Sequence, residues 1–256
     1  MPERTWAPAS EPAELAALVL AAGHGTRARA VTGGGSKVLL EVGGIPVLGH
    51  NLRWLAHAGV PAAWINLHFD ADRIRTAIGT GASFGIHVRY SPEATPLGTA
   101  GALKHLEARW KGTVLVVYGD NLLRFDLRRF LWRHLATLAD ATIAVFHEDR
   151  NPSTGIAGGR IDIDADGRVV QFTEGSTRSD LPVNAGVYLL EQRVLSAITP
   201  DCAEDFGRDV FPRMLARGDR VCSHLIEPGG YCLGFDTPDT AARGLELVRS
   251  GRVSLA

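Results

Sequence analysis

Apolar residues in this chain gather in short runs of strand length, and between the runs they recur at helical spacing. Leu15 to Ala22 is long enough for a buried strand and too short for a membrane span. Pro61 to Leu67, Ile86 to Tyr90, Thr113 to Tyr118 and Ala141 to Phe146 read as further strands. Between Ile45 and Gly59, apolar residues at Val47, Leu48, Leu52, Leu55 and Ala56 repeat with a helical period. Asp70 to Ile78 reads as a helix begun by an aspartate cap, and helices are also expected near Ala100 to Ala108 and Phe125 to Leu138. Strands alternating with short helices predict an α/β architecture with a mainly parallel sheet covered on both faces. Ligands of such sheets sit at the carboxyl ends of the strands.

From Asn151 the texture changes to glycines, aspartates and short alternating strands. Gly159 to Asp164 and Arg168 to Thr173 flank the turn Asp164-Ala165-Asp166-Gly167, which predicts a hairpin. Val183 to Leu190 predicts another strand, Glu204 to Pro212 a capped helix start, and Asp239 to Val248 a last helix. The expected organisation is a tail over 1–14 and a single domain over 15–250. Within that domain 15–150 form one part and 151–250 a second.

Composition narrows the classes. A chain of 256 residues can bury a substantial core. A net charge of −1 gives no reason to expect nucleic acid or a membrane surface as partner. The N-terminal decapeptide has no apolar signal core, and no apolar stretch approaches about 18 residues. Cys202, Cys222 and Cys232 follow no metal-ligand spacing, and their odd number argues against a disulfide framework. A cytoplasmic protein with ordinary thiols is expected. Self-association stays open.

The chemistry concentrates where the first apolar run stops, at Gly23-His24-Gly25-Thr26-Arg27, with a second cation at Lys37. A strand ending in glycines lets backbone N–H groups approach an anion closely. Arg27 can grip phosphate oxygens as a fork and Lys37 as a point charge, which reads as a triphosphate cradle. A purely structural glycine turn competes with it. The spacing Gly23-x-Gly25-x-x-Ala28, with Glu41 downstream, also matches a dinucleotide fingerprint. That reading needs a full crossover helix, and Gly33-Gly34-Gly35 leaves no room for one. No Gly-Lys-Ser/Thr comes after the glycines, so the P-loop pattern fails as well. At the tip of the strand ending in Tyr118 stands Gly119-Asp120-Asn121, where Asp120 either holds a metal ion on phosphates or caps a turn.

Leu-Val-Leu-Ala-Ala-Gly-x-Gly-Thr-Arg followed by Thr-x-x-x-x-Lys-Val-Leu-Leu-Glu-Val resembles the signature of the sugar nucleotidyltransferases. These enzymes join a sugar 1-phosphate to a nucleotide and release pyrophosphate. Ser36 stands where a proline is usual before the lysine, and Ala28 where a leucine is usual. The likeness runs from Leu15 to about Leu247 and is strongest over the first 121 residues. It implies a Rossmann-like three-layer fold of the GT-A-like type, with a mixed, mainly parallel sheet. It also implies nucleoside triphosphate and sugar 1-phosphate as partners and Mg²⁺ as cofactor. Arg27 and Lys37 become the catalytic cations. Leu20, Ala21, Ala22, Gly23, Gly25, Thr26 and Asp120 fall on the nucleotide. Pro96-Leu97-Gly98-Thr99-Ala100-Gly101 resembles the segment that reads the base, which adds Glu93, Leu97, Gly98 and Thr99; taken alone, Thr99 reads as a helix cap. Asn121, Gly155, Glu174 and Asn184 fall on the sugar phosphate.

Two further departures bear on the site. Many members place Lys-Pro after the sugar-binding glutamate, whereas Gly175-Ser176 comes after Glu174 here, and Arg178 is the neighbouring candidate for the missing cation. The family's second metal aspartate falls on Gly234, with Asp236 two residues later as a displaced ligand. Asp236 read alone is the N-cap of the last helix. The expected reaction is Mg²⁺-dependent in-line transfer of a nucleotidyl group to a hexose or heptose 1-phosphate, with guanylyl transfer slightly favoured over thymidylyl. A transferase acting on a non-sugar phosphate such as phosphocholine, and a catalytically silent homologue that binds a nucleotide sugar, are the alternatives.

Overall fold

The computed structural model of the protein describes residues 15–23, 25, 29–156, 158–176 and 178–255, and for 29 and 30 the backbone only. In chain order it runs β1 (Ala16–Leu20), α1 (Arg29–Thr32), β2 (Glu41–Val42), β3 (Ile45–Pro46), α2 (Val47–His57), β4 (Ala62–Leu67), α3 (Ala71–Ile78) and β5 (His87–Pro92). Next come α4 (Gly98–His105), β6 (Val114–Tyr118), β7 (Asn121–Arg124), α5 (Leu127–Thr137), β8 (Ala141–Phe146), β9 (Arg160–Ile163) and β10 (Val169–Thr173). The chain closes with β11 (Val183–Leu190), α6 (Phe211–Ala216), β12 (Val221–Leu225), β13 (Tyr231–Gly234) and α7 (Pro238–Arg249).

Nine strands form one mixed sheet, in the order β10-β9-β11-β6-β1-β4-β5, with β8 and β12 branching from β11. The stretch β6-β1-β4-β5 is parallel. β11 runs antiparallel between β6 and β8. The central strands carry little but Ala, Val, Leu and Ile. Leu18, Val19, Leu115, Val116, Val117, Ile143 and Val145 have no measurable exposure. Helices therefore cover both faces, as a solidly apolar strand requires. Core residues divide accordingly, one layer built on Leu48, Leu52, Leu55 and Phe130, the other on Leu103, Trp110, Phe206 and Phe211. Among the described residues no helix is long and apolar enough to cross a membrane.

The expected elements are present, and their ends show where local chemistry was reassigned. Asp126 caps α5, its carboxylate accepting the N–H groups of Arg128 and Arg129 at 3.0 Å. Asp70 precedes α3 without capping it. Its backbone is left-handed, φ 59°, and its carboxylate accepts from the Ser36 N–H at 2.9 Å. It thus pins the segment carrying Lys37 to the start of α3. The last helix is capped by Thr237, which forms a reciprocal capping box with Thr240. The N-cap reading of Asp236 is therefore corrected. A short antiparallel pair, β7 with β13, was not apparent in the sequence; it sets Gly234 opposite Asn121.

Candidate active site

The parallel strands end together, and the residues just past each tip build the site. After β1 come Ala21, Ala22 and Gly23; after β4, His68; after β5, Glu93; after β6, Gly119 and Asp120. Gly119 is required by closeness. Its N–H donates to the Leu20 carbonyl at 2.9 Å. A Cβ there would stand 2.7 Å from the same oxygen. The β6 tip can therefore lie against the β1 tip and present Asp120 beside the glycine turn.

Two clefts open at these tips. The first, about 260 Å³, is lined by Leu20, Ala21, Ala22, Gly23, Ser36, Glu93, Gly98 and Thr99 among others. The second, about 390 Å³, is lined by Asn121, Ile156, Gly158, Gly159, Glu174, Asn184, Gly186, Arg208 and Asp236. Lys37, Tyr118, Asp120 and Asp205 line both, so the clefts meet there.

At the junction the Lys37 ammonium lies between two carboxylates, 2.7 Å from Asp120 Oδ2 and 2.5 Å from Asp236 Oδ1. Burial alone would pull the ammonium down, but Asp120 and then Asp236 outweigh it and hold Lys37 above its ordinary 10.5. Asp236 arrives by way of the β7–β13 pair. With Gly234 opposite Asn121, the chain two residues on returns to the level of Asp120. Thr154 clamps that strand end, its hydroxyl donating to the Gly234 carbonyl at 2.9 Å and accepting the Gly234 N–H at 2.8 Å. A Cβ on Gly234 would press on Ile156 at 2.8 Å, and Asp236 Oδ2 lies 3.4 Å from where it would stand. The carboxylate thus reaches back into the region a side chain at 234 would use.

The first cleft is held by a buried relay. Asn66, at the end of β4, accepts the Ala21 N–H at 2.8 Å and donates to Glu93 Oε1 at 2.8 Å. Glu93 Oε2 accepts the Leu97 N–H at 3.1 Å. The glycine turn, the 93–97 loop and β4 are locked to one another. Gly98 and Gly101 are small because another segment crosses close to them. A Cβ on Gly98 would land on the Glu204 carbonyl and one on Gly101 on the Cys202 carbonyl, because the 202–205 segment lies across the start of α4. Thr99 does not cap α4. Its hydroxyl donates to Asp205 Oδ2 at 2.8 Å and accepts the Phe206 N–H at 2.9 Å.

In the second cleft Asn184 donates to the Tyr188 hydroxyl at 2.7 Å and accepts the Gly186 N–H at 2.9 Å. Glu174 lines the cleft with part of its side chain exposed. Burial first, and the neighbouring Asp205 second, push its carboxyl above the ordinary 4.5, with Arg208 opposing them.

Leu20, Ala21, Ala22, Gly23, Lys37, Glu93, Gly98, Thr99 and Asp120 line the first cleft, and Asn121, Glu174, Asn184 and Asp236 line the second. Leu97 stands behind the wall as the Glu93 anchor. Gly25, φ 55°, backs onto the Lys37 stem, 3.1 Å from where its Cβ would be. His24, Thr26, Arg27 and Ala28 lie outside the described residues. Two of the expected residues stand apart from this cleft. Gly155 is exposed and does not line the cleft; Gly158 and Gly159 do. Arg178 is held by Asp180 at 2.6 Å on the surface and does not line it either. Asn66, Asp205 and Arg208 were missed. Asn66 alone left a signal, an amide closing an otherwise apolar strand.

A mainly parallel sheet with a glycine turn after its first strand, and two clefts joined at its strand tips, defines an α/β protein built to hold a ligand across those tips. Residues 16–228 match the family model described as Nucleotidyl transferase, and the chain belongs to that family. It is 31% identical over 241 residues to a mannose-1-phosphate guanylyltransferase of Mycobacterium tuberculosis, covering 92% of this chain and 65% of that one. It is 29% identical over 181 residues to a D-glycero-alpha-D-manno-heptose 1-phosphate guanylyltransferase of Aneurinibacillus thermoaerophilus, 70% of this chain and 76% of that one. The chain thus spans just under two thirds of the first relative's length. HddC of Yersinia pseudotuberculosis shares the fold, with a TM-score of 0.76 at 23% identity over 91% of this chain and 98% of its own.

Proposed function

We propose that the protein transfers a nucleotidyl group from a nucleoside triphosphate to a hexose or heptose 1-phosphate, releasing pyrophosphate. The observation that carries this reading is the meeting of the two clefts at Lys37, Asp120 and Asp236. The first cleft would take the nucleotide, its base against the Glu93–Gly98 loop and its phosphates at the glycine turn. The second would take the sugar phosphate, with Glu174 and Asn184 on sugar hydroxyls. A sugar phosphate oxygen would attack the α-phosphorus as the bond to the bridging oxygen breaks and pyrophosphate leaves with the electron pair. Lys37, and Arg27 in the same signature, would neutralise charge developing on the phosphoryl and leaving groups.

A divalent ion fits the residues present. Asp120 and Asp236 converge on one cation, the Lys37 ammonium, so their carboxylates already face a common point. Among the described residues no group of three or more ligating side chains exists. That donor set suits Mg²⁺, which takes one or two carboxylates and completes its shell with phosphate and water oxygens. When bound it supplies charge neutralisation on the phosphates. Asp236 beside Asp120 also weakens one of the two grounds for the silent-homologue reading, Gly234 in place of aspartate, and leaves the other, Gly175 in place of the lysine after Glu174.

The guanylyl flavour is favoured by the names of the two relatives above. The test is pyrophosphate release across the common nucleoside triphosphates, each with hexose and heptose 1-phosphates and Mg²⁺. A productive pair establishes the reaction and names both substrates. Silence across the panel from folded protein that still binds a nucleotide sugar would overturn it.

A further inference from the structure

The second cleft has a charge problem that the residues assigned so far do not solve. A sugar 1-phosphate is a dianion or nearly so at neutral pH. Among the described residues lining the cleft only Lys37 and Arg208 are cationic. Lys37 is already matched by two carboxylates, and Glu174 and Asp205 add negative charge on the same walls. Arg178 is unavailable, since Asp180 holds it on the outer surface in a two-point pair at 3.2 and 2.6 Å.

Arg208 sits on the turn that Asp205 initiates, the Asp205 carboxylate accepting the N–H groups of Gly207 at 3.1 Å and Arg208 at 3.4 Å. Its guanidinium donates to Asp209 from Nε at 3.4 Å and Nη2 at 3.2 Å, both long contacts. Asp209 Oδ2 meanwhile accepts the Asp205 N–H at 2.8 Å, so that carboxylate is anchored to the turn and sets the direction of Arg208. Two of the five guanidinium N–H groups are used, and the rest remain for an incoming oxyanion. Residue 207 explains why Arg208 and Glu174 share one hollow. A Cβ at Gly207 would run into Glu174 Oε1, so only glycine lets the carboxylate rest on this turn.

We infer that Arg208 binds the phosphate of the sugar 1-phosphate, from the 205–210 turn rather than from the turn after β10 that bears Glu174. The ligand class is a phosphomonoester of a polyol, gripped at one end by a guanidinium fork and at the hydroxyl end by Glu174. This inference rests on the reaction proposed above.

The test compares the wild-type protein with Arg208→Ala, Arg208→Lys and Arg178→Ala, with α-D-mannose 1-phosphate and α-D-glucose 1-phosphate as acceptors. Initial rates give KM for the acceptor and for the triphosphate separately; calorimetry gives acceptor binding. Arg208→Ala is expected to raise acceptor KM by about 10- to 100-fold, the loss of a charged hydrogen-bonded pair. Triphosphate KM should stay within about twofold. Arg208→Lys should recover part of the loss, a point charge replacing a fork. Arg178→Ala should match wild type. Unchanged acceptor KM in Arg208→Ala, with wild-type turnover present, overturns the assignment of Arg208 and leaves the proposed reaction standing. If the wild type neither turns over nor binds either acceptor, the reaction on these sugars falls and the assignment falls with it. If Arg208→Ala misfolds by circular dichroism, Arg208→Lys decides: wild-type acceptor KM there overturns the fork, and a raised one supports it.

Discussion

The two clefts share a junction but are made differently. The first is walled by backbone and small side chains, and its polar groups are already paired with one another through Asn66, Ala21, Glu93 and Leu97. The second is walled by Glu174, Asp205, Arg208 and Asn184, where two carboxylates crowd and one guanidinium offsets them only in part. A pre-paired wall keeps its shape without a ligand and suits a flat base and main-chain contacts to phosphates. A wall where two carboxylates face one guanidinium gains most of its order when a ligand brings hydroxyls to the carboxylates and an oxyanion to the guanidinium. On the proposed reaction, the nucleotide side would be a fixed mould and the sugar side the place where the acceptor is chosen.

The largest expected effect lies at the junction, where both sides should fail together. Lys37→Ala is expected to lower turnover by about two to three orders of magnitude with the fold retained. Near-normal turnover in the folded variant would remove Lys37 from the chemistry. Asp236→Asn should raise the Mg²⁺ concentration needed for half-maximal rate by about tenfold or more. An unchanged Mg²⁺ titration would reduce Asp236 to a counter-ion for Lys37.

Smaller substitutions separate the sides. Asn66→Ala leaves the Ala21 N–H and Glu93 without their shared partner. It should cost about 1–3 kcal/mol of stability and raise triphosphate KM while acceptor KM holds. A rise in acceptor KM instead would show that the sides are not independent. Gly98→Ala and Gly175→Ala form a matched pair, with φ of 72° and 68°. At Gly98 the new methyl also meets the Glu204 carbonyl, whereas at Gly175 nothing lies within 4 Å. Denaturant midpoints should show about 1–3 kcal/mol lost at 98 and about 1 kcal/mol at 175. The smallest effect is one of pH. Glu174 is raised above 4.5, so as pH falls from 7 it takes up its proton before an ordinary glutamate does. If its carboxylate accepts sugar hydroxyls, acceptor KM should climb in that range while triphosphate KM stays level. Glu174→Gln should remove this share of the pH dependence; an identical profile in that variant would take Glu174 off the sugar.

The parts legible in the sequence were those governed by local pattern. The buried runs of β1, β4, β6 and β8 declare themselves by composition, and Gly119-Asp120 by standing at the end of one of them. The direction of β11 was not legible. All eight of its residues are buried, a composition equally suited to parallel neighbours, and only its pairing with β6 and β8 makes it antiparallel. The role of Asp236 was readable only as a choice between cap and ligand. Thr237 takes the cap, and the β7–β13 pair, which has no strong sequence pattern, delivers the carboxylate. Arg208 was hidden because its neighbours in the cleft come from elsewhere, Glu174 from just past β10 and Asn184 from β11, and proximity along the chain pointed to Arg178 instead.

Lys37 and Asp236 stand 199 positions apart in the chain, and Asp120 lies between them. Their ion pairs act as a non-covalent stitch that gathers the beginning, middle and end of the polypeptide at one knot. Whatever occupies the junction tightens that knot, so occupancy should be visible as resistance to heat and to proteases. Ligand at about 100 times its Kd would add about 2.7 kcal/mol to unfolding. Conversely, a chain cut before β13 would keep the strands of the nucleotide side and lose one of the two threads tied to Lys37. It would be a cradle that no longer closes.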